Sequence, residues 1–493
     1  MSKKIVIIGG GVAGLAAGIY SRLNGFETEI IEMHSIAGGQ CTAWDRKGYR
    51  FDYCLHWLVG TSFGPFHSVW KETGVIDGST KIIDHDIFSN IIDEQGNDFI
   101  IYSDLARWEE YLLQLAPEDS KSIKRIVSDM EKTVSVDPFT DPPGMRSPGY
   151  YLKALFTMLP ALYVMAKYSK MSYDDYINKL NIKNSRLKYF LGKLFGGSDF
   201  SALAFLMMLA WFNQRNAGYL IGGSRPMAER MAEKFRALGG VFRFHKKVAA
   251  INIVNNTATG VTLEDGTSIA ADYVISAADG YSTLFDMLGG KFLSDELKDA
   301  YLNWELFTPI VQVSFGINKK IDSGNYFTNY HYRGEIGSTK LKTGYSIMNY
   351  SFDPTMAPDG KTVIVVRYES PWDIWKDMGR EEYFTEKERI RKDTIGLLEK
   401  SHPGITQFIE VTDVATPRTT VRYTGVWKGA YEGFMPSPKN ISKTLSMTIP
   451  GLSNFYMAGQ WLFPGGGLPP SAQSGKWALR YICKKEGIKF KVN

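Results

Sequence analysis

The spacing of apolar residues near the N-terminus predicts a strand, a helix and a second strand in immediate succession. Residues 5–8 (IVII) form a continuous apolar run, which is typical of a strand buried on both faces. Small and apolar residues dominate from 14 to 24, which predicts a helix packed closely on a sheet, with Gly25 as its C-terminal cap. Residues 29–32 predict the second strand, which ends on an acidic residue.

Farther along the chain, the pattern predicts a helical block followed by several strands. Residues 104–219 indicate mostly helix, and residues 305–370 indicate strands such as TPIVQVSFGI, YSIMNYSFD and KTVIVVRYES. Residues 227–238 are amphipathic at helical spacing, and 241–253 alternate imperfectly like a strand. Residues 260–279 predict a hairpin around a DG pair and then a buried strand.

Two strongly apolar zones lie inside the helical block, at 150–170 and 201–212. The simpler interpretation is that both are core helices. The alternative is a membrane-dipping entrance or an oily tunnel wall, since lysines stand at the edges of the first zone. No stretch reaches the roughly 18–20 apolar residues that a spanning helix needs, and the nearest, 154–166, is broken by Pro160.

Length and composition narrow the class of protein. A chain of 493 residues with 44% hydrophobic and 22% charged residues has ordinary globular composition, and its length predicts two or more domains. A net charge of +5 without a dense basic block argues against a nucleic-acid partner. Three cysteines without a CxxC pair favour a reduced, cytoplasmic location, and seven scattered histidines predict no metal site.

The first turn between strand and helix carries glycines in the spacing G-x-G-x-x-G. Gly9 permits the tight turn, Gly11 lets a pyrophosphate approach the backbone, and Gly14 lets helix and strand pack closely. Phosphates are expected at the positive helix end, and Glu32, 18 residues after Gly14, is expected to bind an adenosine ribose. A dinucleotide site is therefore favoured over a purely structural turn. Its predicted contacts are Gly9, Gly11, Val12, Ala13, Gly14 and Glu32.

Residues 34–60 resemble the second element of a large family of FAD-binding oxidoreductases. In that family a Gly-Gly turn lies against the diphosphate and ribityl chain, and Gly38-Gly39 match it. The family often has arginine next. This chain has Gln40, which can donate hydrogen bonds but adds no charge.

Two later segments complete the resemblance. Residues 222–251 resemble the family's Gly-Gly turn, helix and strand, where the residue at Val248 meets the adenine through its backbone. Residues 452–482 resemble the closing motif of phytoene desaturases, carotenoid isomerases and retinol saturases, whose glycine loop and helix start face the flavin. The tail residues that this resemblance places at the cofactor are Gly459, Gln460, Gly467, Leu468, Pro469 and Ala472. A P-loop is disfavoured because Pro470 and Trp477 replace residues that its pattern requires.

The resemblance implies an α/β fold with a Rossmann-type (GR2-like) FAD-binding domain, discontinuous in sequence, and an α+β substrate domain. The expected bounds are 1–75, 220–290 and 440–493 for the FAD-binding domain, and 76–219 and 291–439 for the substrate-binding domain. The substrate domain would include the helical region near 150–212, where peripheral membrane contact is the alternative to a buried core. No second glycine motif with a strand and an acid is present, so the electron donor or acceptor is expected to be external.

The resemblance also implies the chemistry. FAD would desaturate, saturate or isomerise C–C double bonds of an apolar polyene, isoprenoid or other lipid-like substrate. His56 and Trp57 follow the Gly-Gly segment closely enough to lie beside the flavin ring. His56 is the catalytic candidate because histidine titrates in the range of a proton donor or acceptor. The alternative is a histidine that only hydrogen-bonds flavin or backbone.

Two other classes of protein share this scaffold. An amine oxidase would need an aromatic pair that frames the substrate amine, and the sequence does not locate one. An escort protein resembling the Rab GDP-dissociation inhibitors would have little need of the glycine turn, the acid and the tail loop, all of which are present.

Overall fold

The computed structural model describes residues 2–133, 141–157, 159–195, 199–322 and 325–493. Residues 158 and 196–198 of the predicted helical region near 150–212 lie outside the described residues. The strands are β1 (Lys4–Ile8), β2 (Glu27–Ile31), β3 (Ala43–Arg46), β4 (Tyr49–Asp52), β5 (Leu58–Val59), β6 (Ile82–Ile83), β7 (Ile87–Ile92), β8 (Asp98–Tyr102), β9 (Ala217–Leu220), β10 (Val241–Arg243), β11 (Val248–Val254), β12 (Thr257–Leu263), β13 (Ser268–Ala270), β14 (Tyr273–Ser276), β15 (Ile310–Ile317), β16 (Phe327–Tyr330), β17 (Glu335–Ile336), β18 (Thr339–Lys340), β19 (Tyr345–Asn349), β20 (Thr362–Glu369), β21 (Ile409–Ala415) and β22 (Phe455–Met457). The α-helices are α1 (Val12–Leu23), α2 (Gly64–Glu72), α3 (Leu105–Leu115), α4 (Ser120–Thr133), α5 (Pro148–Thr157), α6 (Leu159–Tyr168), α7 (Tyr173–Lys179), α8 (Ser185–Leu194), α9 (Ala202–Asn213), α10 (Ser224–Ala237), α11 (Asp295–Asn303), α12 (Arg380–Ser401), α13 (Pro417–Thr424) and α14 (Leu468–Lys485).

A parallel five-stranded sheet, in the order β10-β2-β1-β14-β22, forms one core of the molecule. Its central strands are buried as their apolar runs predict, and helix α1 packs between α10 and α14. All five strands come from the three segments predicted for the FAD-binding domain. The division of the chain into two domains itself stays a prediction.

A seven-stranded mixed sheet forms a second core, in the order β21-β15-β20-β19-β16-β7-β8. Its neighbours are antiparallel except for β16 and β7, which run parallel. The helices α3 to α9 enclose an apolar cluster of their own, so the predicted helical block is confirmed. In the described parts of the chain, no helix combines the length and the apolar character needed to cross a membrane.

Two element boundaries differ from the sequence predictions. The alternating segment 241–253 is two strands, β10 and β11, because the chain turns at His245, whose φ is 54°. Helix α14 begins at Leu468, whereas the sequence pattern predicts a start near Ser471, after the two prolines. Pro469 and Pro470 are accommodated because backbone N–H groups in the first helical turn need no partner within the helix.

Candidate cofactor and substrate site

A cavity of about 2140 Å³ is lined by residues of the five-stranded sheet, the helical block and the seven-stranded sheet. Most of the predicted cofactor contacts lie on its wall. Those that line it are Gly9, Gly11, Val12, Ala13, Glu32, Gly38, Gly39, Gln40, His56, Trp57, Val248, Gly459, Gln460, Gly467, Leu468 and Pro469. Gly14 and Ala472 do not line the cavity; both are buried behind it.

The glycine-rich turn brings backbone directly to the cavity wall. Gly9 has a φ of 94°, a conformation that favours glycine, and a side chain at Gly14 would collide with the carbonyl oxygen of Gly9. Gly11 is the N-cap of α1 and also bridges to Gly38. A Cβ atom at Gly39 would lie 3.1 Å from the Cα of Gly11, so the two glycine turns can meet only without side chains.

Glu32 follows β2 and points back at the same turn. Its carboxylate accepts a hydrogen bond from the Gly10 N–H at 2.7 Å and another from the His34 N–H at 2.8 Å. The side chain is almost fully buried, yet it lines the cavity. Because a carboxylate has about four acceptor positions, these two bonds leave capacity for hydroxyl groups of a ligand.

Gln40 carries a polar atom that the protein leaves unsatisfied. Its side-chain oxygen Oε1 is buried and has no hydrogen-bond partner among the described residues. A buried unpaired acceptor is costly, so its position on the cavity wall fits a donor group on a bound molecule.

The tail closes the opposite wall. The Gly459 N–H donates a hydrogen bond to the Ser474 Oγ at 2.8 Å, which fixes the turn against the helix that follows. Gly466 and Gly467 have φ values of 37° and 86°, and α14 starts directly after them. Helix α14 lies so close to α1 that a Cβ atom at Gly475 would stand 2.7 Å from the backbone nitrogen of Ala17.

These features together fit a dinucleotide. The N-termini of helices α1 and α14 both lie at this cavity. Because the N-terminus of a helix carries partial positive charge, both positions favour a phosphate or a developing negative charge. The carboxylate of Glu32 lies on the same wall as the first glycine turn, where a ribose would follow the phosphates.

His56 lines the cavity but differs from the proton donor that its residue type suggested. Burial, and then the charge of the neighbouring Arg367, lowers the pKa of His56 well below its ordinary value. Its Nδ1 atom lies 3.0 Å from an Nη1 of Arg367. The neutral imidazole is therefore favoured, and it can accept a hydrogen bond from Arg367. A catalytic role for His56 stays a prediction.

Arg367, Tyr431 and Glu432 are among the cavity-lining residues that sequence reasoning missed. A signal for Arg367 existed, because a charged residue directly follows the apolar run VIVV in the same strand. Glu432 lies beside the tail loop, where its Oε1 would be 3.9 Å from a Cβ atom at Gly467. Burial raises the pKa of Glu432 to about 7.

The remaining wall is apolar. Trp57 packs its ring against Phe88 and Phe212 at centroid distances of 5.7 and 5.4 Å. Helix α9, the second apolar zone, buries one side in the helical core and turns another to the cavity. Its cavity-lining residues are Leu203, Ala204, Met207, Met208 and Trp211. Leu203, Met207 and Met208 both pack in the helical core and line the cavity, so this zone is at once a core helix and part of the cavity wall.

A parallel sheet with a glycine turn and a following acid, joined to a large apolar chamber, defines the class of dinucleotide-binding α/β oxidoreductase folds. The chain belongs to the flavin-containing amine oxidoreductase family, whose model matches residues 12–482.

Full-length relatives at low identity are carotenoid enzymes. The chain is 26% identical to a neurosporene-forming phytoene desaturase of Cereibacter sphaeroides, covering 95% of this chain and 92% of that one. It is 22% identical to the chloroplastic prolycopene isomerase of Daucus carota, and the alignment covers 99% of this chain and 81% of that one. It is 24% identical to the 4,4'-diaponeurosporene oxygenase of Staphylococcus haemolyticus, covering 96% of both.

Solved structures share the fold. A putrescine oxidase bound to putrescine aligns with a TM-score of 0.63 at 15% identity, covering 98% of this chain and 99% of that one. An oxidoreductase from Methanosarcina mazei aligns with a TM-score of 0.62 at 17% identity, and the alignment covers 97% of this chain and 100% of that one.

Proposed function

We propose that this protein is an FAD-dependent oxidoreductase that acts on C–C double bonds of an apolar polyene, isoprenoid or other lipid-like substrate. The observation that carries the proposal is the continuity of the cavity from the two glycine turns to the aromatic and methionine-rich wall. A flavin held at the glycine turns would therefore meet a chamber suited to a long apolar molecule. The carotenoid enzymes among the relatives support the same class of substrate.

Bound FAD would supply hydride transfer, and the residues of this chain would supply position and environment. Gly11, Gly38 and Gly39 would let the diphosphate approach the backbone, and Glu32 would hold the ribose. Val248 would meet the adenine. Trp57 and helix α9 would exclude water from the substrate chain.

The test is anaerobic incubation of the purified flavoprotein with polyenes, retinoids and unsaturated lipids, followed by product analysis. Reduced enzyme that reoxidises and gives a saturated product defines a saturase. An isomer formed with the flavin still reduced defines an isomerase, and oxidised enzyme that becomes reduced defines a desaturase. Turnover of none of these lipids would contradict the proposal.

Two controls separate the other classes of protein. Hydrogen peroxide formed with simple amines, in the absence of any reaction with lipids, would assign an amine oxidase instead. A colourless protein that fails to bind added FAD would assign an escort protein.

We also propose that α5 and α6 contact a membrane surface next to the cavity. Tyr151, Leu159 and Tyr163 are 59%, 54% and 55% exposed, which is unusual for large apolar side chains so close together in sequence. The Nζ atom of Lys167 lies 5.1 Å from the ring centre of Tyr163, so positive charge accompanies the apolar patch. Met165 of α6 lines the cavity, so a lipid-soluble substrate would have a short path from bilayer to chamber.

A further inference from the structure

Arg367 is a buried cation on the cavity wall. It lies in β20 between the fully buried Val366 and the buried Tyr368, and only 8% of its own surface is exposed. The residue lines the cavity. A charged group in such a position normally has an anionic partner, because an unpaired buried charge is costly.

The protein gives Arg367 only neutral acceptors. Its Nε donates to the Gln312 Oε1 at 2.8 Å, its Nη2 donates to the carbonyl of Tyr53, and its Nη1 meets His56 at 3.0 Å. Among the described residues, no carboxylate forms an ion pair with it. The low pKa of His56 keeps that ring uncharged, so it cannot balance or repel the guanidinium charge.

Asp52, a buried acid whose backbone carbonyl lies near Arg367, has its side chain bound elsewhere. Both oxygens of Asp52 are occupied by N–H and hydroxyl donors of Ser224, Cys54 and Leu55. Asp52 does not line the cavity, whereas Arg367 does. Glu369 and Glu432 also line the cavity, but neither accepts a hydrogen bond from Arg367. An anion that enters the chamber would therefore meet a guanidinium without a carboxylate partner among the residues that the structure describes.

The charge of the chamber supports an anionic ligand. Among the described lining residues, eleven are lysine or arginine and five are aspartate or glutamate. Arg46, Lys246 and Lys247 already pair with Asp413, Asp265 and Glu264, and the diphosphate of a dinucleotide would offset only part of the excess that remains. The apolar wall begins immediately beside Arg367, because the ring of His56 contacts that of Trp57 at 5.2 Å and Trp57 continues to Phe88.

We propose that Arg367 binds the carboxylate head of an apolar chain, so that the substrate is an acid-headed unsaturated lipid rather than a neutral hydrocarbon. This proposal rests on the proposed function and names its substrate class. A guanidinium beside an aromatic wall offers the head a charge-assisted hydrogen bond and the chain a dry surface.

The test is equilibrium binding of cis-parinaric acid, a fluorescent polyene fatty acid, and of its methyl ester. The wild-type holoprotein should bind the acid about tenfold more tightly than the ester, and R367Q should bring that ratio to about one. R367K should keep part of the preference, since it keeps the charge. R418Q is the matched control, because Arg418 also lines the cavity but donates to the carbonyl of Met378, and it should leave the ratio unchanged.

Equal binding of acid and ester by the wild type would overturn the proposal. This comparison uses only the wild-type protein, so it does not depend on whether a variant folds. A full acid preference in R367Q would also overturn it. A lower flavin reduction potential in R367Q with an unchanged acid-to-ester ratio would assign Arg367 to the reduced cofactor instead. Binding needs no turnover, so an acid preference in a protein without lipid turnover would contradict the proposed reaction while supporting the carboxylate site.

Discussion

At the scale of single residues, Glu32 combines two tasks, since it ties down the backbone of the first glycine turn and faces the cavity. We expect Glu32→Ala to weaken FAD retention by about ten- to a hundredfold, because it removes charge-assisted hydrogen bonds to the ribose. The measurement is flavin absorbance per polypeptide after dialysis. Glu27→Ala, at the exposed start of the same strand, is the control and should retain flavin. Unchanged flavin occupancy in Glu32→Ala would remove Glu32 from the site.

Glu432 should make stability depend on pH. Burial raises the pKa of its carboxyl to about 7. Between the ordinary pKa of glutamate and about pH 7, the carboxyl therefore keeps its proton in the folded protein and loses it in the unfolded chain. Because the folded state binds more protons there, stability falls as pH rises through this window. Glu432→Gln should flatten that part of a plot of Tm against pH. Parallel profiles for wild type and variant would show that Glu432 does not carry the proton.

At the scale of elements, the contact between α1 and α14 leaves no space for a side chain at Gly475. We expect Gly475→Ala to lower the free energy of unfolding by about 1–3 kcal/mol and to reduce flavin content, because the two helices would separate at the cofactor. The measurement is denaturant unfolding. Gly192→Ala in α8, where nothing lies within 4 Å of the new methyl group, should be neutral or slightly stabilising. Equal effects of the two substitutions would contradict the close packing.

The apolar face of α5 and α6 provides a second test at this scale. A double substitution, Leu159→Ser and Tyr163→Ser, should reduce binding to anionic phosphatidylglycerol vesicles by about tenfold, since it removes exposed apolar area. Flotation of protein with vesicles measures this directly. Leu302→Ser removes a large side chain that is 79% exposed elsewhere, in α11, and should leave binding unchanged. Absence of vesicle binding by the wild type would contradict the proposed membrane contact.

Elements with a strong local pattern could be predicted from the sequence. The strand at 5–8, the helix after the glycine turn and the DG hairpin follow from apolar spacing and turn chemistry. The break between β10 and β11 could not be predicted. It depends on the left-handed backbone conformation of His245, which a histidine does not require. The same limit applies to Glu432, whose importance arises only when distant strands and loops enclose one cavity, whereas Arg367 stands out as a charge that follows an apolar run.

At the scale of the whole molecule, FAD should act as a clamp between distant segments. The cavity wall joins Glu32, Val248 and Gly467, so bound FAD would link all three parts of the five-stranded core. We expect added FAD to raise the Tm of flavin-depleted protein in a concentration-dependent way. FMN, which lacks the adenosine, should give a smaller shift. Equal shifts with FMN and FAD would show that the Glu32 end of the cavity contributes nothing.

The order of strands in the five-stranded sheet has a consequence for synthesis on the ribosome. Strand β14 pairs with β1 on one side and with β22 on the other, and β22 is translated about 450 residues after β1. Until then the nascent chain carries β14 as an open sheet edge, which is a template for wrong pairing. The second helix N-terminus of the cofactor site emerges later still. We therefore expect flavin binding to follow the synthesis of nearly the whole chain, and the edge of β14 to need protection while residues 277–454 are translated.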